Sequence, residues 1–228
     1  MKQSLLWDYY QNEAPELFVQ SDARLRYLAR RIQPGGRVLN IGVGTGIFEE
    51  IAVKRGLDVY SLDPSESTIA MLRRRFHSDE KARTGYSQNI PFHDGFFDSV
   101  VISEVVEHLT PGESELTLKE IARVLAPGGR ILGTVPARED LKAQLMVCPH
   151  CGGHFHRWGH LQSFDPHRIA ALLSPYFRVE AVRQRPFHNW SHMNRKGKMA
   201  GSAKMLLYYL GIHGSNENIF FAAVKGGA

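Results

Sequence analysis

The 228-residue chain has only two cysteines, Cys148 and Cys151, with two residues between them. A disulfide closing so short a loop removes little chain entropy. This excludes a disulfide-stapled fold and leaves a metal pair or a redox pair as the expectation. No apolar run reaches 18 residues, so no membrane-spanning helix is expected. Residues 1–12 lack the basic start, apolar stretch and small-residue cleavage site of a secretory leader, which predicts a cytoplasmic protein. Internal repeats and low-complexity tracts are missing too, which argues against a solenoid or a linker-joined pair of domains. Acidic residues are absent from residues 181–216, where Arg183, Arg185, Arg195, Lys196, Lys198 and Lys204 stand. Such a stretch either attracts phosphate, carboxylate or nucleic acid or is a solvated basic loop.

What is present is enough for one core. With 43% hydrophobic and 22% charged residues and a formal charge of +5, the chain reads as a soluble single domain over residues 1–228. It carries one Cys/His-rich, loop-rich insert at residues 137–162. Helical spacing runs over residues 21–32 and ends at Pro34-Gly35-Gly36; a buried strand follows at residues 37–41. Residues 47–55, 65–76, 113–125 and 165–173 read as helices, and residues 57–62, 82–86, 97–103, 130–135, 177–183 and 219–225 as strands. Nearly continuous apolar strands alternating with helices imply an α/β, doubly wound Rossmann-like sheet. It should be mostly parallel with an antiparallel last strand and helices on both faces.

The turn Gly42-Val43-Gly44-Thr45-Gly46 joins the first strand to its helix, where open α/β sheets bind nucleotides. Ile47 stands where a dinucleotide-binding Gly-x-Gly-x-x-Gly would place its last glycine, so that spacing fails. Asp63 ends the second strand, 17 residues after Gly46, placed to accept both hydroxyls of a ribose. Three further segments complete the pattern: Asn89-Ile90-Pro91-Phe92, Phe97-Asp98-Ser99-Val100-Val101 and Arg123-Val124-Leu125-Ala126-Pro127-Gly128-Gly129.

From about Arg37 to Pro136 these motifs resemble the class I S-adenosylmethionine-dependent methyltransferase superfamily, in the branch similar to ubiquinone and menaquinone biosynthesis enzymes. The resemblance implies that Gly42, Gly44 and Gly46 pass beneath the methionine part of S-adenosyl-L-methionine and that Asp63 holds its ribose. Pro64 and Ser65 would border the adenine, and Ser103 is counted among the cofactor contacts. Two positions depart from the family. Gly85-Tyr86-Ser87-Gln88 stands where relatives carry an acid for the adenine amine. Gln88 or the backbone at Ser87 could substitute, and Tyr86 could stack for about 1 to 3 kcal/mol, or be an ordinary core aromatic. Asn40 replaces an acid that meets the cofactor's amino group, and a neutral amide can still hydrogen-bond there.

After the fourth strand comes Ser103-Glu104-Val105-Val106-Glu107-His108-Leu109. His108 could act as general base with Glu104 orienting it, since an unperturbed imidazole titrates near neutral pH. Alternatively Glu104, Glu107 and His108 share a divalent metal, as the similar Glu-x-x-Glu-His pattern does in ubiquinone-pathway O-methyltransferases and small-RNA 3′-terminal 2′-O-methyltransferases. A third reading has these residues only cap the helix start and line the pocket.

Residues 148–160 hold both thiols and four histidines in thirteen positions. The spacing Cys-x2-Cys-x4-His-x3-His predicts a structural zinc knuckle on Cys148, Cys151, His156 and His160, with His154 as the spare ligand. A redox Cys-x-x-Cys is the rival. His160 could instead complete the Glu104, Glu107 and His108 site, as a distant histidine does in the RNA-modifying relatives. Trp7, Tyr9, Tyr10, Trp158, Phe187, Trp190 and Tyr208 are aromatic candidates for an acceptor pocket or for ordinary packing. The leading expectation is methyl transfer to an oxygen or nitrogen of a small-molecule acceptor. The alternatives are a metal-assisted RNA methyltransferase and a non-catalytic cofactor-binding interaction protein.

Overall fold

The computed structural model describes residues 6–7, 9–14, 21–77 and 79–226. Six α-helices are named α1 (Asp22–Ala29), α2 (Ile47–Lys54), α3 (Glu66–Phe76), α4 (Pro111–Val124), α5 (Pro166–Leu173) and α6 (Arg195–Tyr209). Strands are β1 (Arg37–Ile41), β2 (Asp58–Asp63), β3 (Ala82–Thr84), β4 (Phe97–Ser103), β5 (Leu125–Pro136), β6 (Leu145–Val147), β7 (His154–His156), β8 (Arg178–Arg185) and β9 (Asn218–Val224). Seven of them form one sheet in the order β3-β2-β1-β4-β5-β9-β8, and β6 with β7 makes a separate hairpin. Only β9 runs against its neighbours, antiparallel to both β5 and β8. The doubly wound sheet with an antiparallel last strand is therefore the observed one. Among the described residues no helix is long and apolar enough to cross a membrane.

Alternation along each strand divides the core between two faces, because successive side chains leave a strand in opposite directions. Leu39, Val100, Ile102, Ile131, Phe221 and Ala223 pack with Leu118 and Ile121 of α4 and Ile169 of α5. Val38, Val101, Leu132, Phe220 and Ala222 pack on the opposite face with Leu28 of α1 and Phe48 and Ile51 of α2. Two local codes set the helix starts. Ser65 caps α3 by accepting from the Thr68 N–H, and Thr110 with Glu113 forms a reciprocal capping box ahead of Pro111 in α4.

Two elements differ from expectation. β5 begins at Leu125, before the Pro127-Gly128-Gly129 turn, because Leu125 pairs with Phe97 and the register then skips to Ser99 with Arg130. Helix α6 lies wholly within the basic stretch and was not expected, because apolar residues on both of its faces blur the period that marks a surface helix.

The strand order reverses between β1 and β4, which opens a crevice at the carboxyl ends of β1, β2 and β4. Behind it the sheet is packed without slack at Gly133, which lies between Ile102 and Phe221. A Cβ there would stand 2.2 Å from the Phe221 ring and 2.3 Å from the Ile102 carbonyl oxygen. Gly133→Ala should cost about 3 kcal/mol by overpacking, read as a lower urea midpoint with unchanged slope; a wild-type midpoint would show that the β5–β9 spacing is not fixed by this contact.

Candidate active site

A cavity of 460 Å³ lies at that crevice, lined by the glycine turn, Asp63, Tyr86, His108 and His160 among others. The glycine turn is left-handed three times over, with φ of 82° at Gly42, 59° at Gly44 and 78° at Gly46. Gly42 also has no room for a side chain, because a Cβ would stand 2.4 Å from Val105 Cγ2. Glycine is the residue that meets both demands.

Asp63 holds this turn in place. One carboxylate oxygen accepts from the Val43 N–H at 2.8 Å and the other from the Ser65 N–H at 2.9 Å. Both bonds are charge-assisted. Pro64, Ser103, Gln88 and Ser87 also line the cavity. The Ser87 hydroxyl is 2.8 Å from that of Thr117. Tyr86 is 63% exposed at the rim, which suits a stacking surface and excludes the core reading.

Asn40 lines the cavity too, but its amide N–H donates to Glu49 Oε1 at 2.8 Å, and the Ser61 hydroxyl donates to the same oxygen. The carboxyl absent from position 40 therefore reappears beneath the turn on α2. Glu49 Oε2 has no hydrogen-bond partner among the described residues, and burial raises the Glu49 pKa above the ordinary carboxylate value.

The segment after β4 turns sharply at Glu104, whose φ of 57° is left-handed. Glu104 Oε2 accepts from Asn218 Nδ2 at 2.9 Å, and Oε1 lies 3.9 Å from Arg24 Nε. It does not orient His108. That role falls to the Gly159 carbonyl, 3.2 Å from His108 Nδ1. With a carbonyl as partner, Nδ1 carries the proton and Nε2 the lone pair. Burial, and then His160, pull the His108 pKa down to about 3, so the ring stays neutral and is a poor proton acceptor.

Glu107 is buried, and neither of its oxygens has a hydrogen-bond partner among the described residues. Burial, followed by the nearby Glu104, raises its pKa well above the ordinary value. Ligand atoms of Glu107, His108 and His160 lie within 4.8 Å of one another. His160 Nδ1 is 2.5 Å from Glu139 Oε2, which leaves His160 Nε2 as the free lone pair. His156 stacks on His160 with ring centroids 4.8 Å apart, and its Nδ1 accepts from the Trp158 and His160 N–H groups.

Among the described residues, the four expected zinc-knuckle ligands are not brought together. His156 and His160 join Glu139, Glu107 and His108, and among the described residues no group of three close ligands includes a cysteine. The hairpin explains this. Cys148 and Cys151 sit at its tip, closed by the Cys148 N–H to Gly153 carbonyl bond, whereas His156 pairs with Leu145 at its base. His154 is exposed opposite Val147. Of the expected Glu104, Glu107 and His108 set, Glu107 and His108 lie close to His160, whereas Glu104 accepts from Asn218.

Of the aromatic candidates, Trp7, Tyr10 and Trp158 line the cavity. Tyr10 and Trp158 are 5.0 Å apart, and Trp7 meets His108 edge-on at 5.6 Å. Phe187, Trp190 and Tyr208 pack elsewhere, against Tyr27, His188 and Tyr209 respectively. Arg24 and Glu139 were missed. Neither belongs to a motif, and their only signal is position, on the first helix and at the start of the insert.

Comparison with known proteins agrees with the geometry. Residues 39–133 match the family model described as Methyltransferase domain. A demethylmenaquinone methyltransferase of Beutenbergia cavernae is 37% identical over 100 residues, covering 44% of this chain and 40% of that protein. An uncharacterized methyltransferase of Mycobacterium tuberculosis is 36% identical over 95 residues, covering 42% and 37%. These matches span well under half the length of those curated relatives. The 1,6-didemethyltoxoflavin-N1-methyltransferase of Burkholderia thailandensis, solved with S-adenosylhomocysteine, superposes with a TM-score of 0.70 at 16% identity, over 98% of this chain and 87% of that one. The chain thus has the fold of solved S-adenosylmethionine-dependent methyltransferases, and its residues 39–133 match a methyltransferase domain.

The raised Glu49 pKa has a testable consequence. The native state binds this proton more tightly than the unfolded chain, so its contribution to stability is fully present below the ordinary carboxylate pKa and is lost as pH rises through the folded value. Glu49→Gln should flatten that decline in urea-midpoint measurements across the acid-to-neutral range; an unchanged slope would assign the proton to another group.

Proposed function

We propose that the chain transfers the methyl group of S-adenosylmethionine to an oxygen of a small-molecule acceptor, beside a divalent cation held by Glu107, His108 and His160. The observation that carries the cation is the donor set. Glu107 is a buried carboxylate with two unpartnered oxygens, which is costly unless a proton or an ion compensates it. Both imidazoles facing it have committed their Nδ1 atoms, His108 to the Gly159 carbonyl and His160 to the Glu139 carboxylate. Metal-binding histidines are typically held this way, with the second nitrogen on a carbonyl or carboxylate. Two imidazoles with one carboxylate suit a first-row divalent ion.

A bound divalent cation would supply Lewis acidity that lowers the pKa of an acceptor hydroxyl and a template for two adjacent oxygens. The remaining work belongs to the chain. The glycine turn and Asp63 fix the cofactor, so its sulfonium methyl is presented at one end of the cavity. Trp7, Tyr10 and Trp158 form an apolar wall that orients a compact acceptor and keeps out water. In-line attack forms the oxygen–carbon bond as the carbon–sulfur bond breaks onto sulfur, and the acceptor's hydroxyl proton goes to bulk solvent. Positioning accounts for most of the acceleration, because the sulfonium is already activated. His108 serves here as a ligand more readily than as a base, given its depressed pKa. Relatives named for demethylmenaquinone and 1,6-didemethyltoxoflavin support a small-molecule acceptor.

Calorimetry with S-adenosylhomocysteine should give binding, and Asp63→Ala should weaken it at least tenfold, a loss of about 1.4 kcal/mol; no heat with the wild-type chain would end the methyltransferase reading. Titration with Mn2+ should give one ion per chain, with affinity about 10–100-fold lower in Glu139→Gln, where His160 loses its outer partner. Equal Mn2+ uptake by wild type, Glu139→Gln and His160→Ala would remove the cation while leaving cofactor binding untouched.

A further inference from the structure

Helix α6 is apolar on two opposite faces, and only one of them is covered. On the inner side Gly201 is buried against Trp190, which a Cβ would approach to 3.2 Å, and Tyr208 is partly buried. On the outer side Met199, Leu206, Tyr209 and Leu210 are 74%, 62%, 76% and 66% exposed, with Leu207 and Ile212 exposed beside them. Met199, Ala203, Leu206 and Leu210 follow the spacing of a single helical stripe. A contiguous apolar strip of this kind on a folded surface marks a contact site.

Charge indicates what the contact is. Arg195, Lys196 and Lys198 lie in the first turn of α6 and are exposed, and Lys204 is exposed beside the apolar strip. Cations are disfavoured at a helix N-terminus by the helix dipole, so these three work against the helix unless an external anionic group meets them. No acidic residue lies within residues 181–216 to do so along the chain. A second copy docking strip to strip would bring the same uncompensated cations, whereas an anionic lipid surface supplies both an apolar layer and negative charge.

Topology places the helix usefully. β8 ends at Arg185 and β9 starts at Asn218, opposite Pro136, so residues 186–217 connect at the sheet edge where the carboxyl ends of the parallel strands open into the cavity. The geometry points to α6 as an interfacial helix that seats this edge of the protein on an anionic membrane surface, with Met199, Leu206 and Leu210 in the apolar layer and Arg195, Lys196, Lys198 and Lys204 at the headgroups. An amphiphilic acceptor lying in that surface would then face the side of the protein on which the cavity opens.

Vesicle flotation of the full chain tests this without cofactor or acceptor, so it stands apart from the methyl-transfer reading. The chain should float with vesicles of equimolar phosphatidylcholine and phosphatidylglycerol and not with phosphatidylcholine alone, and the association should weaken as salt is raised. Leu206→Glu combined with Leu210→Glu should lower partitioning more than tenfold, the order expected from burying two leucines, while affinity for S-adenosylhomocysteine is retained. Several results would overturn the proposal: no flotation with anionic vesicles, equal flotation with neutral ones, or unchanged flotation of the double variant. It would equally fall if wild type were a dimer in solution that the double variant makes monomeric, which would assign the strip to a second copy.

Discussion

The site is organised by one carboxylate bridging two pieces of backbone. Asp63 accepts from Val43 on the glycine turn and from Ser65 at the start of α3, so it ties the end of β1 to the end of β2. Three left-handed glycines could otherwise adopt many shapes, and a mobile loop would lose much of its binding energy to ordering. The charge sits in a buried position because two N–H groups replace its hydration. Glu49 supports the same turn from beneath through Asn40 and Ser61.

A second organisation surrounds the acceptor end of the cavity, and it is assembled from distant segments. Glu107 and His108 follow β4, while Glu139, His156, Gly159 and His160 come from the insert. The insert is also stitched to the body by the Leu161 and Gln162 N–H groups, both donating to the Glu107 carbonyl. Folding the hairpin down therefore brings the histidines to the buried carboxylate and completes the aromatic wall with Trp158. The cysteine tip stays outside this arrangement. Its Cys148 thiol pKa is lowered by N–H groups of Cys151 and then His150.

The fold was legible in the sequence because its signals are local. Apolar runs, the Pro and Gly stops and the glycine turn each act over a few residues, and the expected strands and helices fall within a few residues of their places. The cofactor half of the cavity was legible for the same reason, since Gly42, Gly44, Gly46 and Asp63 lie within one β-α-β unit. Helix α6 was not, because apolar residues on both faces blur the period that identifies a surface helix.

Residue type and spacing by themselves determined that a glycine turn and an acid would meet at the carboxyl ends of β1 and β2, and that the histidines would gather near a carboxylate or a thiol. Which of these partners they chose was decided only by the tertiary structure. A four-residue interval places His156 and His160 together in space, but a hairpin separates its base from its tip. The base packs against Glu107 while the tip, with both cysteines, faces outward; ligand choice across fifty residues depends on how the insert docks, and no local spacing encodes that.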